Sequence, residues 1–269
     1  MSVTIKLGRL LGIRIGIHAS WAILFVLVSW SIAQQIAGVS RVTALGVGAL
    51  CASLLFTSVV AHELGHAICA RAYGVRTRSI TLFLFGGVAL LEREPSTPRA
   101  EAAIALAGPA TSAILAAVAY ALSFACTVSG TRFWVEDAAP IATYVALSNG
   151  VLAAFNLVPA FPMDGGRILR ALLWQLRASY ARATSVSAAL GIGFAVVLAV
   201  TGIVMMLSTH VWEYAWYMVM GAFLMRNGTL HYRGARSLAR TEERRVAIAA
   251  AGRQTTFPFV DAPLAGRIA

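Results

Sequence analysis

Apolar residues in this chain come in long runs separated by short polar breaks, rather than in amphipathic alternation. Runs near residues 19–39, 42–73, 99–128, 138–158, 183–207 and 211–225 mostly reach or exceed the ~20 residues that a helix needs to cross a bilayer. They predict about six transmembrane helices. A further apolar stretch, residues 80–91, is too short to span and is broken by Gly86-Gly87. Its β-favouring residues around a Gly-Gly turn predict a short membrane-embedded β-hairpin near residues 79–91. Strands at membrane depth must be buried in protein or line a wet cavity, because lipid satisfies no backbone group. The predicted fold class is therefore an all-α polytopic membrane protein carrying one such hairpin. Thr97-Pro98 reads as an N-cap followed by proline at the first helical position. Residues 165–176 read as a short amphipathic helix after the Pro-rich segment that ends the fourth span.

Composition agrees with this. The chain is 59% apolar and only 12% charged, against about 25% charged in a soluble domain. Mean hydropathy is +0.76. Cys51, Cys69 and Cys126 all lie in apolar stretches and read as small core residues rather than a disulfide framework or a zinc ribbon. The N-terminus, basic and then apolar, also fits a signal peptide. The membrane-embedded remainder favours a retained first span.

The net charge of +11 raises nucleic acid as a partner, and its distribution argues against one. The basic residues, nearly all arginine, fall between the apolar runs, which is a topology signal. With six spans both termini share one side. If that side is cytosolic, only Arg41 and Arg132 of the 22 basic residues fall outside. This predicts a multi-pass cell-membrane protein with both termini cytosolic. Residues 1–225 form the membrane domain, and residues 226–269 form a basic cytosolic tail or linker whose following domain is missing or truncated.

One span carries chemistry. His62-Glu63-Leu64-Gly65-His66 lies in the second run, and Glu63 is the first acidic residue of the chain. H-E-x-x-H on a helix puts two histidines on one face, where they can pinch a metal ion, beside a glutamate able to deprotonate water. Ionisable groups at membrane depth are costly and so mark functional sites. His62 lies about 30 Å along the second helix from its outer end, which places the site toward the cytosolic side.

A catalytic zinc takes three protein ligands. Asp164 is the best candidate for the third, since it follows a span that returns to the same side as His66. His18, His210 and His231 are less well placed. Each residue also has a plainer reading. Asp164 could cap the helix that follows it, and Asn156 could bond between helices. His18, Arg167 and Arg170 could be interfacial side chains, and Gly86-Gly87 only a turn.

His62-Glu63-x-x-His66 in one span and Asn156-x-x-Pro159-x-x-Pro162-x-Asp164-Gly165 in a later one together resemble the site-2 protease family of intramembrane zinc metalloproteases. Ala107-Gly108-Pro109-Ala110, Phe85-Gly86-Gly87 and His18-x-Ser20-Trp21 are similar to that family too. The resemblance implies one catalytic Zn2+ held by His62, His66 and Asp164. It also implies Glu63 as catalytic acid/base and Asn156 as a residue holding the scissile peptide or its oxyanion. The implied substrate is a membrane-spanning protein cut within the bilayer, with a regulatory membrane partner and a prior cut by another protease as further expectations. The regulatory domains often attached to six-span relatives are not evident.

Three rival readings stand beside it. Another membrane zinc peptidase would act on soluble or lipidated peptides through a glutamate as third ligand, and the later spans offer none that suits. A metal transporter would need more intramembrane acids. A catalytically inactive relative would be expected to have lost Glu63 or a ligand.

Overall fold

The computed structural model describes residues 4–84, 86–176 and 178–254. Phe85 of the Phe-Gly-Gly motif therefore lies outside the described residues, as does the end of the tail. The chain begins with strands β1 (Thr4–Leu10) and β2 (Ile13–His18), followed by helices α1 (Ser20–Gln35) and α2 (Arg41–Ala72). Strands β3 (Thr77–Phe83) and β4 (Gly86–Leu91) come next, then α3 (Pro98–Val128), α4 (Ala139–Asn156), α5 (Asp164–Gln175), α6 (Tyr180–Thr209) and α7 (Ala215–Gln254).

The expected hairpin is present as β3–β4, but it is half of a larger sheet. Four strands run in the order β1-β2-β3-β4. The inner pair β2–β3 is parallel and both outer pairs are antiparallel. The N-terminal half of this sheet was not expected: Ile13-Arg14-Ile15-Gly16-Ile17 carries a short period-2 alternation of β-branched residues, which the basic residues around it disguised as a topology signal. Leu11 and Gly12, both at positive φ, close the β1–β2 turn between the paired Leu10 and Ile13. That is the geometry of a two-residue hairpin loop.

The six runs divide unevenly. Among the described residues, four helices are long and apolar enough to cross a bilayer: α2, α3, α6, and α4 together with the π-helical turn that leads into it. Helix α1 has only 16 residues, about 24 Å, because the chain before it is spent on strands. The sixth run is the start of α7, which continues without a break through residue 254. Small residues explain why it does not stop at Met225. A Cβ added at Gly221 would lie 2.8 Å from the Ala195 carbonyl, and one at Gly228 would lie 3.1 Å from Ile192. The α6–α7 contact thus runs past the apolar segment, as small residues at helix crossings permit.

Helix starts follow side-chain chemistry. Ser40, Thr97 and Ser179 each accept a hydrogen bond from the backbone N–H three residues on, satisfying donors left open in a first turn. Thr97-Pro98 starts α3 as expected. Ala160, Met163, Ala195 and Leu224 form a buried cluster joining the segment before α5 to α6 and α7. A second cluster, Ala70, Val75 and Ile104, ties the end of α2 to α3.

Candidate metal centre and active site

His62 and His66 are one helical turn apart and both buried. Each ring is held from behind by α3. His66 donates its Nδ1–H to the Ile104 carbonyl at 2.6 Å. A carbonyl only accepts, so the proton must be on Nδ1, and Nε2 keeps its lone pair. The His62 Nδ1 lies 2.8 Å from the Ser112 hydroxyl, which orients that ring the same way. The two Nε2 atoms consequently face each other at 3.2 Å.

Asp164 completes the group from the other half of the chain. Its Oδ2 lies 3.2 Å from His62 Nε2 and 3.1 Å from His66 Nε2. The cap of α5 is Met163, with no side-chain cap bond, and Asp164 is the first helical residue. The capping alternative for Asp164 is therefore excluded, because its carboxylate turns inward to the histidines. Burial alone would raise the Asp164 carboxyl, but the two imidazoles and the charge of Arg167 outweigh it and hold the group well below the usual carboxylate range. It remains an anion.

Three electron-pair donors that all lie within 4.8 Å of one another suit a cation between them. Tetrahedral zinc with bonds of about 2 Å has ligand-to-ligand edges of about 3.3 Å, close to the 3.1–3.2 Å separations here. The donor set of two imidazoles and one carboxylate, with each outer ring nitrogen already bonded, also fits that ion. The residues present therefore fit the metal that the motif implies.

The small-residue patch on α3 exists for this cluster. A Cβ added at Gly108 would lie 2.6 Å from His62 Nε2 and would collide with the His66 ring. Gly65 likewise lets α2 approach Thr111 and Ala107. Gly87 of β4 does the same for Glu63, because a Cβ there would lie 2.6 Å from its Cγ. Gly87 is therefore more than a turn residue.

A cavity of about 300 Å³ opens in front of the cluster. It is lined by Glu63, both histidines, Asp164, Asn156, Arg167 and the edge strand β4. Asn156 donates to the Leu152 carbonyl of its own helix at 3.0 Å. The interhelical bond considered for it belongs instead to Asn149, whose Nδ2 donates to Ser58 at 2.9 Å. His18 pairs with Ser20 at 2.7 Å and takes no part in the cluster.

Sequence reading treated Arg167 and Arg170 as interface anchors, but Arg170 is buried and Arg167 is half-buried, facing the site. Arg167 lines the cavity with Nη1 3.8 Å from Asp164 Oδ1. Its position three residues after Asp164 puts it on the same helical face, a signal that could have been used. Arg170 is buried and forms an ion pair with the fully buried Glu101, its Nε and Nη2 both donating to Oε1. Its guanidinium also lies over the rings of Phe161 and Tyr180. Ser112, the Ile104 carbonyl and the Glu101–Arg170 pair carry no motif and were missed.

Comparison with known proteins bears on this arrangement. The profile of peptidase family M50 matches residues 50–135 and 127–200, the region that holds the whole cluster. The chain belongs to peptidase family M50. A solved structure, the site-2 protease from Methanocaldococcus jannaschii, superposes on it with a TM-score of 0.60 at 31% identity, covering 86% of this chain and 95% of that one. The M50 chain is 36% identical over 208 residues to the zinc metalloprotease MJ0392 of the same archaeon, covering 77% of this chain and 56% of that protein. It is 35% identical over 239 residues to sll0528 of Synechocystis, named as a candidate zinc metalloprotease, covering 87% and 61%. The chain thus spans about three fifths of the length of these curated relatives. It is a multi-pass membrane protein with the site-2 protease fold.

Proposed function

We propose that this M50 chain is an intramembrane zinc metalloprotease that hydrolyses a peptide bond within or near a transmembrane helix of another membrane protein. The observation that carries the reading is the convergence of His62, His66 and Asp164 in a cavity that also holds Glu63 and is bordered by a strand edge. His62, His66 and Asp164 hold the zinc. When bound, zinc lowers the pKa of a water to about 7 and polarises the carbonyl to be attacked.

The remaining steps belong to side chains. Glu63 takes a proton from the attacking water as its oxygen bonds to the peptide carbon. It then delivers that proton to the nitrogen as the C–N bond breaks. Asn156 has a second Nδ2–H beyond the one given to Leu152, and this steadies the peptide oxygen as charge develops there. Arg167, 3.8 Å from Asp164, offsets part of the negative charge in the cavity. A helical substrate must unwind before attack, and β4, the edge of the sheet, pairs with the unwound segment.

Charge along α2 supports the depth. Arg41 and Arg71 bound the helix about 45 Å apart, which matches a bilayer of about 40–45 Å with its headgroups. His66 and His62 then sit about 8 and 14 Å inside the Arg71 level. By the bias in basic residues this is the cytosolic side. Regulated release of membrane-tethered proteins is the biological setting that fits. The rival with a glutamate ligand is disfavoured because Glu63 and Asp164 are the acids lining the cavity among the described residues.

The test compares membrane-protein N-termini by mass spectrometry in cells with wild-type or Glu63→Gln protein. New termini inside spans, absent from the variant, are expected. Identical profiles with zinc bound in both would overturn the reading.

A further inference from the structure

A second concavity lies on the opposite side of α2 from the metal cluster. It is formed by the β1–β2 turn, the last turns of α2 and the start of β3, and it is lined by Leu11, Ile13, Ile68, Arg71, Arg76 and Thr77 among others. Its volume is about 790 Å³. One wall is apolar and the other carries guanidinium groups. Among the described residues neither Arg71 nor Arg76 has an acidic partner. Gly74, which also lines the concavity, accepts a hydrogen bond at its carbonyl from Arg93 Nη2 at 3.0 Å. Thr77 Oγ1 is buried there without a hydrogen-bond partner.

Two further observations point to what fills it. First, Arg71 lies at the end of a helix whose two bounding arginines are a full bilayer apart, so the mouth is level with phospholipid headgroups. Second, Leu11 adopts φ 53 at the turn tip and is 60% exposed. Asn or Gly would take that conformation with less strain, whereas a leucine there suits contact with lipid. Ile68, on the apolar wall, is also exposed.

We propose that this groove is a binding site for an anionic phospholipid. The phosphate is held by Arg71 and Arg76, and the glycerol and upper acyl carbons lie against Leu11, Ile13 and Ile68. Basic pockets beside spanning helices take anionic headgroups by this combination of charge and apolar surface. The site is separate from the zinc cluster, and the proposal holds whatever reaction that cluster catalyses.

The test is native mass spectrometry of the full chain, titrated in detergent with phosphatidylglycerol or phosphatidylcholine. Phosphatidylglycerol should bind at least tenfold more tightly than phosphatidylcholine. Arg71→Gln with Arg76→Gln should weaken it by about thirtyfold, while Arg132→Gln, in the loop before α4, should leave it unchanged. Arg71→Lys with Arg76→Lys should keep the preference for the anionic lipid, and this pair decides the matter if the glutamine pair misfolds. Equal affinity for the two lipids in the wild type would overturn the proposal without any variant. So would displacement by millimolar glycerol phosphate, which would mean a site for a soluble phosphate ester.

Discussion

The Ser112 hydroxyl lies 2.8 Å from Nδ1 of His62, across the contact between α2 and α3, and both side chains are buried. This bond keeps the His62 ring turned so that its other nitrogen faces Asp164 and His66. Partners that orient a metal-binding imidazole from behind are worth about 10–100-fold in metal affinity. Ser112→Ala should therefore weaken zinc binding by about that factor while leaving the helices intact. Competition with a chelator of known affinity measures it, and an unchanged zinc affinity would remove Ser112 from the site.

Gly108 separates the needs of the site from those of the helix. Alanine is about 1 kcal/mol better than glycine inside a helix, so Gly108→Ala favours α3 locally. Its added Cβ nevertheless lands among the Nε2 atoms of His62 and His66. The expected outcome is a chain with unchanged helical content that no longer binds zinc. Circular dichroism and metal analysis on one sample distinguish this from general misfolding.

Which parts were legible in the sequence follows from the range of each signal. Helix content came from apolar runs, and the His62, His66 and Asp164 set came from spaced motifs that the fold brings together across about a hundred residues. The N-terminal strands were missed because Ile13–His18 alternates for only six residues, within a stretch whose arginines suggested a simple cytosolic lead. The meaning of Gly87 and Gly108 could not be read either. A glycine that makes room for a distant side chain looks locally like any turn or kink. Arg167 and Arg170 were misplaced because charge near a span end ordinarily means interface, and burial depends on acids elsewhere. Arg170 finds Glu101, 69 residues away.

The Glu101–Arg170 pair yields a prediction with a built-in control. Breaking a buried ion pair leaves one charge uncompensated, typically at about 3–5 kcal/mol. Arg170→Met and Glu101→Gln should each destabilise strongly. The double variant should lose clearly less than the two single losses added together, because no orphan charge remains. Thermal unfolding of the four proteins in one detergent gives the coupling. Strict additivity would mean that the pair contributes only through packing of Arg170 on Phe161 and Tyr180.

His231 on α7 stacks on Phe161, with ring centroids 4.8 Å apart and planes 16° from parallel. The Arg170 guanidinium lies 5.0 Å from the centroid of the same ring, and Phe161 stands three residues before Asp164. Burial lowers the His231 pKa from its ordinary value, and Arg170 lowers it further, against a smaller opposing effect from Glu94. The folded protein therefore favours the neutral ring. A depressed folded pKa makes this contribution to stability fully present above the unfolded value of about 6.5 and progressively lost as pH falls below it. Acidification would place a second cation beside Arg170 and loosen α7 from the segment that presents Asp164. The unfolding midpoint of the wild type should fall more between pH 8 and pH 5 than that of His231→Gln, in the same detergent and with saturating zinc. Parallel curves for the two proteins would show that this stack does not sense pH.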